Sequence, residues 1–348
     1  MSVRITTNGL FRTYASAMHR SQKKLYNTLD RVQTNRNFST YAEDPASASK
    51  AFRLRRAYWQ NEKYISTSNY LIDKFEVAYT AASPIVDGDA DNPGLDGIQS
   101  MLEGLSDATA SGRRALGNDL IAKSDAISLC LNARYNGEYV FAGIDGMNVP
   151  FTWSGDTLLY RGIDVTSAPG GEDGARLEEM TGETAYVNIG LGMKEDAEGR
   201  TIPNSALNSA IDGLSFLGYG VDEDGDPKNM AVLMRELGNI YRRADPDTGD
   251  YASPADKERA QVLATKLFDS MDRVREQYIQ ISSNATYVRT NLNQLETQHD
   301  TLSEEITNVE QMDGALAITE MAWAQYSYQA ALQTGGQILS QSLFDYMK

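Results

Sequence analysis

Leu267, Met271, Val274, Tyr278, Ile281, Ala285, Val288, Leu292, Leu295, His299, Leu302, Ile306 and Val309 follow one another in alternating steps of four and three. All but His299 are apolar, and a sustained period of about 3.5 residues marks the seam of a left-handed coiled coil. Just upstream, Ser253-Pro254 pairs a hydroxyl cap with a residue whose fixed φ suits the first helical position. The spacing predicts one helix over 254–310, whose seam alone spans roughly 65 Å at about 1.5 Å per residue. Such a helix is longer than a compact domain is wide, and its apolar edge needs a partner.

The N-terminal part supplies one. Asp44-Pro45 repeats the cap-then-proline signal, and Leu54, Tyr58, Asn61, Ile65, Ser68, Ile72, Phe75, Tyr79 and Ala82 keep the same spacing. A third helix follows the turn at Asp91-Asn92-Pro93-Gly94, with Leu116, Leu120, Ile127 and Leu131 on one stripe. Residues 146–227 differ: they hold fourteen of the 28 glycines, and short alternating runs such as Thr157–Tyr160 and Thr184–Ile189 read as strands between turns. Helical pattern resumes at Met230–Tyr241. The predicted fold is mainly α: a long antiparallel coiled-coil rod from both chain ends (44–145 and 228–310) with a small β-rich domain inserted at 146–227.

The terminal segments, 1–43 and 311–348, read as weakly helical, with Gly9, Gly314 and Gly335-Gly336 as interruptions. Their apolar positions are Ile5, Leu25, Leu29 and Val32 at one end and Leu316, Met321, Tyr328, Leu332, Leu339, Leu343 and Phe344 at the other. Stripes this short and broken are not stable alone. Both ends are expected to be disordered in the monomer and ordered as helices by a partner.

Composition excludes several functions. The 348 residues carry 32 Lys and Arg against 48 Asp and Glu, a net charge of −16, which disfavours nucleic-acid binding. The charge is uneven: +8 over residues 1–66 and −24 beyond, a basic leader on an acidic body. One cysteine, Cys130, permits no intrachain disulfide and no paired-cysteine redox or zinc spacing. The two histidines, His19 and His299, are far apart and form no zinc or triad motif. The insert has neither His nor Cys, so an enzyme housed there would lack the common zinc and thiol chemistries. No apolar run approaches the about 20 residues of a membrane span, and Met1–Leu10 lacks the apolar core of a secretory signal. No cofactor, metal or catalytic residue is expected, and general export rules alone would leave the protein in the cytosol.

Three features have both a bland and a sharp reading. His299 in the seam is better explained as a polar register-setting residue than as a pH switch. Cys130, beside Leu131, reads as a small buried side chain. The clusters Asp87/Asp89/Asp91, Asp222/Asp224/Asp226 and Asp245/Asp247/Asp250 place Ile98, Leu233 and Asp256 where a calcium loop needs a bidentate Glu, so they read as solvated turns.

Specific strings now add a resemblance. Arg4-Ile5-Thr6, then Leu25 and Leu29, then Thr34 through Asp44-Pro45-Ala46-Ser47-Ala48 resemble the N-terminal region of bacterial flagellins, with Glu43-Asp44-Pro45 where that family carries Asp-Asp-Pro. Val309-Glu310-Gln311-Met312-Asp313 and the closing Ser342-Leu343-Phe344-Asp345-Tyr346 look like the matching C-terminal region. Together the two regions cover about 1–145 and 265–348. Within the family, Asn136-Gly137-Glu138-Tyr139-Val140-Phe141-Ala142-Gly143 followed by Pro150-Phe151 resembles the hook-associated protein 3 branch, the hook–filament junction type. Asp44 and Pro45 carry the family match and Gly137, Tyr139, Phe141, Ala142 and Gly143 the match to that branch, and a bulk-filament flagellin is the alternative. The resemblance implies a structural subunit, not an enzyme, exported through the flagellar channel and lying outside the cell. It implies like subunits, the adjacent hook-associated protein and flagellin as partners, and a cytoplasmic export chaperone at the C-terminal segment, with no nucleic acid and no membrane insertion.

Overall fold

The computed structural model describes residues 7–88, 93–105 and 110–346. In chain order these form α1 (Thr7–Thr34), α2 (Pro45–Val86), α3 (Leu95–Gly104), α4 (Ala110–Cys130), β1 (Arg134–Tyr135), β2 (Glu138–Tyr139), β3 (Phe151–Ser154), β4 (Thr157–Tyr160) and β5 (Ile163–Asp164). Then come α5 (Glu172–Thr181), β6 (Tyr186–Val187), β7 (Leu207–Asn208), α6 (Gly213–Leu217), α7 (Met230–Arg242), α8 (Pro254–Glu310) and α9 (Gly314–Tyr346). The fold is mainly helical, with long helices from both ends of the chain and a small strand-bearing region between them. Among the described residues no helix is long and apolar enough to cross a membrane.

Both cap-then-proline signals act as caps. The Asp44 carboxylate accepts from Ala46 N at 3.2 Å and Ser47 N at 3.1 Å. Hydrogen bonding from Ser47 holds that carboxyl below the usual range. Ser253 Oγ accepts from Asp256 N at 3.1 Å and donates to the Asp256 carboxylate at 2.9 Å, fixing the start of α8.

The chain divides into two compact units, Met1–Lys63 with Glu296–Lys348, and Tyr64–Leu295. In the second, the remainder of α2 runs antiparallel to α8. Tyr79 stacks on Tyr278 with ring centroids 4.4 Å apart, and Glu76 pairs with Arg289 further along. Seam residues Leu267, Met271, Val274, Tyr278, Ile281, Val288, Leu292 and Leu295 are all buried. From α2, Ser68, Leu71, Ile72, Phe75, Ala78, Ala82 and Ile85 are buried as well, a wider stripe than a strict two-stranded seam needs, because α3, α4 and α7 complete the same core.

The predicted third helix is two, α3 and α4, and its stripe residues Leu116, Leu120, Ile127 and Leu131 are buried. α4 packs against α7 at a glycine crossing. A Cβ on Gly117 would lie 2.8 Å from Gly238 O, and one on Gly238 would lie 2.7 Å from Gly117 O. Backbone therefore meets backbone where these two helices cross.

Strands are shorter and more scattered than a β-rich domain suggests. β1 and β2 form a hairpin before residue 146, closed by Asn136 (φ 52) and Gly137 (φ 88), the left-handed pair that a tight hairpin requires. β3, β4 and β5 make an antiparallel sheet in that order, and β6 pairs with β7. Between 146 and 227 the structure also contains α5 and α6, so this glycine-rich stretch is mixed and largely irregular.

Of the expected interruptions, Gly314 does coincide with a break, standing at the start of α9 after the non-helical residues 311–313, while those at Gly9 and Gly335-Gly336 do not occur. α1 passes through Gly9 and α9 through Gly335-Gly336. The physical reason at Gly335 is contact, since a Cβ there would lie 1.9 Å from the Tyr14 hydroxyl oxygen. Asp313 starts α9 by accepting from Ala315 N at 2.9 Å and Leu316 N at 3.2 Å.

Candidate assembly interface

α1 and α9 pair antiparallel inside the first unit. Tyr14, Met18, Ser21, Leu25, Thr28 and Val32 are the buried or half-buried edge of α1, in alternating steps of four and three. The facing edge of α9 is Ala317, Met321, Ala324, Tyr328, Ala331 and Gly335, with the same spacing. Tyr14 OH donates to Ala331 O at 3.0 Å near one end, and Arg31 pairs with Glu320 at 2.9 Å near the other. Four of the six α9 positions are Ala or Gly, so the backbones approach closely without burying large side chains.

Those large side chains point elsewhere. On α9, Leu316, Ile318, Trp323, Tyr326 and Leu332 are exposed, from 44% for Leu332 to 67% for Tyr326. Phe52 (70%) and Trp59 (59%), seven residues apart on one face of α2, are exposed as well. Buried side chains in this unit are few: Thr28, Ala51, Asn61, Ala317 and Ala324 among the described residues. Where such side chains are contiguous, they are the kind of surface that accompanies protein–protein contact.

The predicted interface residues thus split. Leu25, Leu29 and Val32 are half-buried on α1, and Met321 and Tyr328 belong to the intrachain seam. Leu316 and Leu332 lie on the outer faces of α9. Ile5 and the side chains of Leu339, Leu343 and Phe344 lie outside the described residues. Reading only large apolar residues hid the alanine and glycine seam, although its four-three spacing is present in the sequence.

The last part of the long seam is looser. His299 is half-buried with its ring 4.3 Å from that of Tyr58, and its Nδ1 is 3.8 Å from the Asp300 carboxylate. Leu302, Ile306 and Val309 are half-buried. Opposite, the buried Asn61 donates to Gln298 at 3.4 Å while its carbonyl oxygen has no partner among the described residues.

The Tyr139–Gly143 string holds the fold together. Phe141 O accepts from Tyr160 OH and Gly213 N, both at 2.9 Å, and Ala142 bridges to Asp212. Gly143 has φ 69, and a Cβ there would lie 2.7 Å from the Glu183 carboxylate, which Arg161 holds at 2.9 Å. Burial of Tyr160 and Asp212 pushes both their pKa values up. Phe151 is fixed by the Asn132 amide, which donates to its carbonyl at 2.8 Å and accepts from its N–H at 3.0 Å. The tyrosine of the string lies under the Arg134 guanidinium, 4.1 Å from its ring centre.

Cys130 is half-buried rather than enclosed. It lines a cavity of about 250 Å³ with Ile85, Leu95, Ile98 and Met234, and burial raises its thiol pKa.

Of the acidic clusters, Asp89 and Asp91 lie outside the described residues. Asp222, Asp224 and Asp226 converge, but as a clamped turn rather than a solvated one. The Lys266 amine of α8 sits among them, 2.5 Å from Asp222, 3.1 Å from Asp224 and also bonded to Asp226. Arg259 adds a second cation at Asp226. The Lys266 hydrogen bond lowers the Asp222 pKa to about 2. Sequence reasoning missed Lys266 because some forty residues separate it from the aspartates.

No protein-family model and no curated protein matches the chain. Among solved structures, a protein described as a flagellar hook-associated protein from Vibrio parahaemolyticus is similar at 15% identity and TM-score 0.54, over 77% of this chain and 100% of that one. FlgL of Bacillus cereus is 16% identical (TM-score 0.36), covering 75% of this chain and 99% of its own. FlgL of Xanthomonas campestris is 12% identical (TM-score 0.41), covering 74% and 99%. The Vibrio likeness shows a shared fold.

Proposed function

We propose that this chain is a non-enzymatic structural subunit of the bacterial flagellum, of the hook-associated protein 3 type, joining hook to filament. The observation that carries the proposal is the set of aromatic and aliphatic side chains left exposed on α9 and α2, in the unit made from both chain ends. Buried on assembly, each such side chain contributes about 1.5–3 kcal/mol. The fold shared with a flagellar hook-associated protein supports the assignment, as do the terminal strings of the sequence.

In this reading the outer faces of α1, α2 and α9 dock on different faces of neighbouring copies. A contact between unlike faces is heterologous, so it propagates as a ring or helix rather than closing as a pair. Contact with neighbouring copies buries the outer faces that the α1–α9 pair leaves open and so locks the terminal helices in place; until then the subunit stays threadable through the flagellar export channel to the outside of the cell. An export chaperone covers α9 until then, and the adjacent hook-associated protein and flagellin are the unlike neighbours.

Replacing Trp323 and Tyr326 by Ser tests the surface. The double variant keeps the helix content of the wild type in solution but no longer assembles. Assembly at wild-type concentrations would remove α9 from the interface.

A further inference from the structure

The uneven charge noted in the sequence resolves onto separate helices. α1 and residues 45–63 of α2 carry ten Lys and Arg against Asp30 and Glu62, whereas residues 296–310 of α8 together with α9 carry seven Asp and Glu and no Lys or Arg. Only two of the ten cations are paired across helices among the described residues, Arg31 with Glu320 and Arg55 with Glu310.

Two stripes are left open. Arg53, Arg56 and Lys63 are exposed along one side of α2, over roughly 15 Å. Glu296, Asp300 and Glu304 are exposed at steps of four along α8, over roughly 12 Å. None of these six is within ion-pair distance of an oppositely charged Lys, Arg, Asp or Glu among the described residues. They match in length, oppose in sign and are not closed within one copy, so a second copy can close them. Phe52 and Trp59 lie beside the basic stripe and supply the apolar area that charge pairing alone lacks.

The geometry points to a head-to-tail contact in which the Arg53/Arg56/Lys63 stripe of one copy docks on the Glu296/Asp300/Glu304 stripe of a second copy of this chain. This rests on the assembly reading above and names the partner and the register-setting force for it. Like-signed faces repel, so the contact selects unlike faces. Exposed pairs are screened over about 10 Å at 0.1 M salt and about 3 Å at 1 M, so the contact is sensitive to ionic strength.

The test uses full-length protein, with assembly followed by light scattering and electron microscopy at about 0.1 M and about 1 M NaCl. Three variants are compared: R53E/R56E/K63E, E296K/D300K/E304K, and the swap carrying all six changes. Circular dichroism confirms unchanged helix content, as exposed positions allow. Each triple variant alone should need about tenfold more protein to assemble than wild type. A one-to-one mixture of the triples, and the swap alone, should assemble within about threefold of wild type.

Triple variants that assemble like wild type overturn the charge pairing and leave the assembly reading standing. Triples that fail and are rescued by neither mixture nor swap overturn a second copy as the occupant. Wild type that assembles under no condition overturns both this inference and the reading it rests on.

Discussion

Gly117→Ala adds one methyl group at the place where α4 and α7 cross. The new Cβ would lie 2.8 Å from Arg242 N, 2.8 Å from Gly238 O and 2.9 Å from Tyr241 Cβ. Two of these are backbone atoms of α7 or its cap, which no rotamer change can move. Relief requires the helices to separate by roughly half an ångström, enough to forfeit about a quarter of the dispersion attraction along the crossing. Met230, Leu233, Met234, Leu237 and Tyr241 all bury against this core, so the loss is shared by many contacts. Overpacking of this kind costs about 1–3 kcal/mol, against a gain of about 1 kcal/mol from alanine's better helix propensity. The net expectation is destabilisation by up to about 2 kcal/mol against wild type, or up to about 6 °C in Tm for a unit of this size, and by about 1–3 kcal/mol against a glycine-to-alanine change at an uncrowded helical site. Urea denaturation followed by circular dichroism measures it. Gly104→Ala is the control, because nothing lies within 4 Å of a Cβ there; it should be neutral or slightly stabilising. Gly117→Ala combined with Gly238→Ala should cost less than the sum of the two, since the first methyl group already parts the helices. A Gly117→Ala protein as stable as the Gly104→Ala control would refute the close crossing.

Adjacent glycines of α9 should behave in opposite ways: Gly335→Ala pushes Tyr14 off the helix and loosens the α1–α9 pair, while Gly336→Ala, with open space around it, strengthens the helix by up to about 1 kcal/mol. Limited proteolysis of the terminal helices reads both. Lys266→Met leaves the Asp222, Asp224 and Asp226 carboxylates facing one another and lowers Tm at neutral pH. Because the Asp222 pKa is depressed to about 2, its contribution in wild type is present above about pH 4 and lost as pH falls towards 2. In Lys266→Met that acid-side loss, measured by Tm against pH, should be much smaller. His299→Leu should leave the pH dependence of assembly unchanged, since a half-buried ring tilted against Tyr58 serves as a packing element; a shifted acid limit would make it a switch.

Periodic features were legible because periodicity is local. The four-three run from Leu267 to Val309 announced α8 without any tertiary information, and Asp44-Pro45 and Ser253-Pro254 marked where α2 and α8 begin. Close approach was not legible. Gly117 and Gly238 are ordinary glycines until the crossing brings them together, and Gly335 looked like a helix breaker until Tyr14 packed on it. The α9 seam of Ala317, Ala324, Ala331 and Gly335 escaped notice because small residues carry little hydropathy, although they decide which α9 faces stay exposed. In the glycine-rich middle the short strands are legible, β4 at Thr157–Tyr160 among them, while α5 and α6 are not, because a composition of turns hides short helices.

The central claim, a hook–filament junction subunit, is tested most directly by adding the purified protein to hook fragments that already carry the first hook-associated protein and imaging them by electron microscopy. The account predicts a short added layer that stops and then permits flagellin to extend from it. Long filaments built of this protein alone would make it a bulk-filament subunit, and seeds left bare would contradict the flagellar assignment.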